Sequence, residues 1–175
     1  MKETTKRQWL IILLGIVLVA IAGVKATRYV TAERRFLSHS PVSTEEGNKH
    51  LSISLPDLAS NIYVASYEHL QESAEYFRCC LSVSESTKYV ENLRAKSRGQ
   101  LPGRGLWGKL SNPFAVTPDQ RARVNMVGFK DADHTIDWFD VHQIEHGVAY
   151  PGGQSGIPAF WIDTDRQLLY CQITD

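Results

Sequence analysis

The segment HQIEH, residues 142–146, has the spacing of a zinc-dependent hydrolase motif, H-x-x-E-H. In that motif two histidines bind the metal and the glutamate acts as the general base of hydrolysis. Here the zinc ligands would be His142 and His146, and the general base would be Glu145. A metal-dependent hydrolase is therefore one hypothesis for the function of this chain.

The residues around this motif argue against that chemistry. The two histidines must share one face of a helix, but Gly147 follows at once and favours a helix end. A catalytic zinc also needs a third protein ligand, and no glutamate follows Glu145. Asp163 and Asp165 could substitute, although both fit a hairpin turn better. We therefore predict no catalytic residue, no metal site and no cofactor, and keep the hydrolase as an alternative.

Two further segments partly match the residue spacing of known ligand-binding motifs. GRGLWG, residues 103–108, spells G-x-G-x-x-G, but it follows a predicted helix end instead of a strand, so we interpret it as a loop. DADHTID, residues 131–137, spaces three aspartates like a calcium loop, but Ile136 stands where the tight turn requires glycine. Neither segment predicts a binding site.

A run of five basic residues without an intervening acid could bind lipid headgroups or another polyanion. From Asp131 to Asp165, by contrast, the charged residues are all acidic. The run is typical of a solvated helix end and loop that pairs loosely with the acidic half, so headgroup binding is kept as an alternative. With a formal net charge of zero, we expect no nucleic-acid partner. The basic residues are Arg94, Lys96, Arg98, Arg104 and Lys109.

Three cysteines fit neither a zinc site nor a disulfide scaffold, because Cys79 and Cys80 are adjacent and Cys171 is distant. Strand alternation places Cys79 with Phe77 on an apolar face and turns Cys80 to the opposite face. We predict that Cys79 and Cys171 are small buried hydrophobes. Whether Cys79 or Cys80 pairs with Cys171 is left open.

The N-terminal segment predicts a single membrane-spanning helix over residues 9–26. Its residues from Trp9 to Val24 are all apolar or glycine, and basic residues flank the segment on both sides. The alternative is a signal peptide that is cleaved on export, because residues 20–22 form an A-x-A site. We predict the anchor, since the apolar run exceeds the usual length of a signal-peptide core.

The anchor defines the predicted domain organisation. Residues 1–8 form a cytoplasmic tail, residues 27–50 a polar stalk, and residues 51–175 one soluble domain, which we expect on the extracytoplasmic side. The lipid bilayer is then the partner of residues 9–26.

The domain is predicted to be α+β, with a small antiparallel sheet and one main helix packed on it. Residues 61–69 and 74–84 read as strands that form a hairpin. A helix follows, with Ser82 at capping-box spacing from Glu85 and Ser84 as the alternative cap. Its apolar stripe is Tyr89, Val90 and Leu93. About three strands come after it: GVAY (147–150) and the two strands of a last hairpin that turns over residues 163–166, with residues 123–129 as a further candidate.

Four segments carry a resemblance: LPDLASNIYV (55–64), EYFRCCLSV (75–83), DWF (137–139) and FWIDTDRQLLYCQ (160–172). In these the chain resembles uncharacterised small bacterial proteins that are exported or membrane-anchored. The resemblance implies an α+β fold and implies no activity.

These observations predict a membrane-tethered, non-catalytic interaction or ligand-binding domain. Its partner would be another envelope protein or a small ligand. The metal-dependent hydrolase and the lipid-headgroup binder remain the alternatives.

Overall fold

The structure is a computed structural model that describes residues 33–70, 72–100, 113–116, 136–152 and 158–174, together with Val17, Val19 and Ala20. For residues 96–100 it describes the backbone only. The chain divides into two compact units, Met1–Glu33 and Arg34–Asp175. No helix in the described part is long and apolar enough to cross a membrane. Apart from the three residues named, the predicted anchor lies outside the described residues and stays a prediction.

The second unit is built on one seven-stranded antiparallel sheet with few helices. The strand order is β1-β2-β3-β7-β6-β5-β4, and every neighbouring pair for which the register is described is antiparallel. The strands are β1 (Arg34–Leu37), β2 (Ser60–His69), β3 (Glu72–Cys80), β4 (Phe114–Ala115), β5 (Gly147–Tyr150), β6 (Ala159–Asp163) and β7 (Leu168–Thr174). The helices are α1 (Thr44–Asn48) and α2 (Val83–Gln100), with a 3-10 turn at Val141–Gln143.

One face of the sheet packs against α2, as the sequence predicts. The backbone N–H of Glu85 donates to the Oγ of Ser82 at 3.3 Å, which caps the first turn of the helix. Val90 is fully buried, and Tyr89 meets Phe160 edge to face. The sheet side of this core comes from alternate residues of the central strands, among them Val64, Phe77, Cys79, Leu169 and Cys171.

The opposite face of the sheet is also buried, which the sequence does not predict. Tyr76, which alternates to the side of β3 opposite Phe77 and Cys79, has no exposed surface. Phe139 covers it, and Phe139 also meets Trp161 and Tyr170 edge to face. The segment 136–144 therefore forms a second layer, and two cores lie on the two sides of one sheet.

Two boundaries differ from the sequence prediction. Residues 34–50, assigned to the stalk, fold with the domain: β1 pairs with β2, and the backbone N–H of Val64 donates to the Oγ of Ser38 at 2.8 Å. The strand predicted over 74–84 ends at Cys80, where α2 soon begins. Four strands follow α2 in the described ranges, and the strand predicted over 123–129 lies outside them.

Candidate functional site

A network of charged side chains closes the hairpin between β6 and β7. Asp163 is 1% exposed, and its Oδ1 accepts the backbone N–H groups of Asp165 and Arg166 at 3.0 and 2.9 Å. Its Oδ2 accepts the Nε–H of Arg166 at 2.6 Å. The turn predicted at residues 163–166 is thus held by the aspartate that begins it.

Asp140, in the layer over this hairpin, is the centre of the network. Its Oδ2 pairs with Arg166 at 2.6 Å, and its Oδ1 accepts the phenolic hydroxyl of Tyr170 at 2.6 Å. Partial burial by itself raises the pKa of Asp140, but the hydrogen bonds from Tyr170 and Arg166 outweigh burial and lower it. Burial and the same carboxylate raise the pKa of Tyr170. Near neutral pH Asp140 therefore stays ionised and Tyr170 stays neutral. Neither side chain is suited to general acid–base catalysis at that pH.

Arg78 extends the network across the sheet. Its guanidinium lies 4.6 Å from the ring centroid of Tyr63, and its Nη1 donates to the backbone oxygen of Trp138 at 3.1 Å. The Nη1 atom is 3.8 Å from Asp140. These contacts join the second layer to the sheet, so the network is structural.

The HQIEH segment does not form the helix that a zinc site requires. Only a 3-10 turn is present, and the chain extends from Ile144, whose side chain is fully buried. His142 and Glu145 are exposed, and His146 Nδ1 lies 2.8 Å from Asp165 Oδ2. Among the described residues no group of three histidine, cysteine or acidic side chains could hold a metal ion. The segment packs over the hairpin through Ile144.

The glycine that follows this segment has a role in packing. Gly147 begins β5, and a Cβ there would clash with the backbone oxygen of Ile162 on β6. The glycine therefore allows the two backbones to approach closely.

The structure describes the side chain of one residue of the basic run, Arg94. It is 5% exposed, pairs with Glu91 at 3.0 Å and lies 5.4 Å from the ring centroid of Tyr150. The headgroup-binding alternative stays a prediction. The side chains of Lys96 and Arg98, and all of Arg104 and Lys109, lie outside the described residues.

The three cysteines are free thiols. Cys79 and Cys171 are buried, as predicted, and burial raises the pKa of Cys79 to about 12 and that of Cys171 well above its ordinary value. Cys80 is half-buried and accepts a hydrogen bond from Asn61 Nδ2 at 3.6 Å. Exposed Leu58 lies beside Cys80 in a shallow depression of about 540 Å³. The described residues that line this depression with Cys80 include no histidine that could act as a base.

An open groove of about 710 Å³ lies beside β1 and is here called the β1 groove. It lies on the sheet face that packs against α2, at the Arg34 end of β1. There Ser66 of β2 is opposite both Phe36 and Glu75 in register, and Glu68 is opposite Ser73. The lining residues are Arg34, Arg35, Phe36, Lys49, His50, Leu51, Ser52, Ser66, Tyr67, Glu68, Ser73 and Glu75.

The polar groups of the β1 groove are held in position. Glu75 Oε2 accepts both the backbone N–H and the Oγ–H of Ser52, at 2.7 and 2.8 Å. His50 stacks on Phe36 with ring centroids 3.5 Å apart and planes 7° apart. Glu75, Ser66 and both rings are half-buried. A preformed concave site with a few fixed polar groups is the usual form of a small-ligand site.

The sequence analysis missed this groove, although a signal was present. On β2 the residues that share a face change from Ile62 and Val64 to Ser66 and Glu68. On β3 the same face changes from Phe77 to Glu75 and Ser73. Where apolar residues give way to polar ones on the same face of two adjacent strands, that part of the sheet is not covered by the core.

No protein family, curated protein or solved structure matches this chain.

Proposed function

We propose that this protein is a membrane-tethered, non-catalytic ligand-binding domain whose binding site is the β1 groove. The observation that carries the proposal is the carboxylate of Glu75, fixed by Ser52 in a half-buried groove of about 710 Å³. A volume of this size is within the range of about 300–1,000 Å³ that is usual for small-ligand pockets.

The non-catalytic role is supported by the way in which the other ionisable groups are used. Asp163, Asp140, Arg166 and Tyr170 bind one another and hold the second layer on the sheet. Two of the three arginine and lysine side chains that line the β1 groove face an acid: Arg34 is 3.6 Å from Glu68, and Lys49 is 2.9 Å from Glu46. The third, Arg35, lies 5.5 Å from the ring centroid of Tyr67. Such a site can bind and orient a ligand, but it offers no activated nucleophile.

Ligand binding is tested on the full chain in detergent with a library of amino acids, saccharides, nucleotides and phosphate esters. A true ligand should raise the thermal unfolding midpoint of the wild type. The same ligand should not change the thermal unfolding midpoint of Ser66→Phe, because the new ring fills the β1 groove. The matched control is Ser40→Phe at an exposed position outside the groove, which should respond like the wild type. Recovery of a chemically altered compound after long incubation would contradict the non-catalytic assignment.

Tethering is tested separately, and the support for it is the apolar sequence of residues 9–26. The full chain should remain with the membranes after alkaline extraction. A reporter that is active only outside the cytoplasm, fused after Asp175, should be active. Release of a product that begins at Gly23 or Thr27 would replace the anchor with a cleaved signal peptide.

A further inference from the structure

The β1 groove combines hydrogen-bonding groups with an aromatic wall. Ser66, Ser73 and Ser52 contribute hydroxyls, and Glu68 and Glu75 contribute carboxylates. The wall consists of the stacked rings of Phe36 and His50. A ligand that matches this lining must carry several hydroxyl groups and also an apolar surface.

The charges in and beside the groove disfavour an anionic ligand. Arg34 pairs with Glu68, and Lys49 pairs with Glu46. His50 Nε2 is also 3.4 Å from Glu46, so three of the four positive or potentially positive side chains that line the groove lie beside carboxylates. The fourth, Arg35, lies 5.5 Å from the ring centroid of Tyr67, its partner in register, and alternates away from Phe36. A phosphate group would have to displace these acids, and Glu75 would repel it. A neutral ligand faces neither cost.

Glu75 is suited to bind paired hydroxyl groups. Its Oε2 atom is occupied by Ser52, so the described hydrogen bonds leave Oε1 as an acceptor. A carboxylate oxygen that accepts a hydroxyl forms a charge-assisted bond, which is stronger than a bond between neutral groups. Ser66, opposite Glu75 on the adjacent strand, can donate or accept a second bond.

Phe36 and His50 cover one face of each other, so a ligand can meet only an outer face of the stacked pair. Such a face is suited to the C–H face of a sugar ring. The face of an aromatic ring carries partial negative charge, so it attracts weakly positive C–H groups. We propose that the β1 groove binds a neutral mono- or disaccharide through Glu75, Ser66 and the Phe36–His50 wall. This inference rests on the proposed ligand-binding function and narrows it to one class of ligand.

The test is ligand-observed NMR and calorimetry on the full chain with glucose, galactose, mannose, N-acetylglucosamine and maltose. The detergent must have no sugar headgroup, because a maltoside or glucoside would itself occupy the site. Glu75→Gln should weaken the binding of the best sugar about tenfold, through loss of a charge-assisted bond. Ser66→Ala should weaken it about threefold without disturbing the bonds from Ser52 to Glu75.

The matched control is Glu72→Gln, an exposed acid on the same strand whose side chain alternates to the other face. It should bind like the wild type. The saccharide inference is overturned if no sugar binds, or if neither Glu75→Gln nor Ser66→Ala weakens binding. If glycerol 3-phosphate or an amino acid binds and Ser66→Phe abolishes that binding, while no sugar binds, the proposed function holds and this inference fails. If nothing in the wider library binds, both fail.

Discussion

The carboxylate of Asp140 and the phenol of Tyr170 are joined by a 2.6 Å hydrogen bond that links the second layer to the sheet. Tyr170 is fully buried on β7, and the side chain of Asp140 is 13% exposed. The same carboxylate pairs with Arg166 at 2.6 Å. One aspartate therefore satisfies a buried hydroxyl and a guanidinium at once, and both depend on it.

We expect Asp140→Asn to lower the free energy of unfolding. Breaking a fully buried ion pair costs about 3–5 kcal/mol, but the side chain of Arg166 is 33% exposed and solvent screens the pair. The expected loss is therefore about 2 kcal/mol, and Tyr170→Phe should cost about 1 kcal/mol. Urea unfolding followed by tryptophan fluorescence measures both. Asp137→Asn, exposed in the same segment, is the control and should change stability by less than about 0.5 kcal/mol. Equal losses in Asp137→Asn and Asp140→Asn would show that the network is not the cause.

The contribution of Asp140 should disappear in acid. Because its pKa is lowered on folding, the stabilisation is present above the unfolded-state value of about 3.9 and is lost as the pH falls through the folded-state pKa. The difference in unfolding free energy between wild type and Asp140→Asn should therefore be constant from about pH 7 to about pH 5 and shrink below about pH 4. Urea titrations across this range measure it. A difference that grows in acid contradicts the assignment.

Local sequence patterns were sufficient for the central hairpin, the helix cap at Ser82 and the last turn. Each depends on residues close together in the chain, so alternation, capping spacing and turn chemistry indicate them. The second covered face gives no such local signal, because Tyr76 shares its side of β3 with Arg78, although the apolar ring of a tyrosine is readily buried. The layer that covers it, residues 136–144, is distant in sequence, and no local pattern indicates that contact.

The β1 groove was also difficult to predict, because its residues are distant from one another in sequence. Strand β1 is short and begins with Arg34 and Arg35, so it looked like part of a polar stalk. The decisive contact of the β1 groove joins Ser52 to Glu75 across 23 positions. Conversely, the HQIEH spacing suggests a zinc site, but Ile144 is buried and the segment does not form the helix that such a site requires.

The role of HQIEH can be tested by comparing its residues with one another. Ile144→Ala should lower the free energy of unfolding by about 2–4 kcal/mol, because a fully buried side chain leaves a cavity. His142→Ala and His146→Ala should each change it by less than about 0.5 kcal/mol, since both histidines are exposed. Elemental analysis of the purified chain should find no stoichiometric zinc. One zinc per chain that is lost in His142→Ala would establish the metal site instead.

Thiol labelling tests which faces of the strands are buried. Cys80 should react first with a maleimide in the native protein, because it is half-buried whereas Cys79 and Cys171 are at most 1% exposed. Burial also raises the pKa of Cys79 to about 12, so little thiolate is available to react at neutral pH. Mass spectrometry of digested samples measures the order of labelling. In Cys80→Ser, native labelling should fall to the background, and denaturant should expose two thiols. Ready labelling of Cys79 and Cys171 in the folded state, with Cys80 protected, would mean that the register of β3 is shifted by one residue and the buried face is inverted.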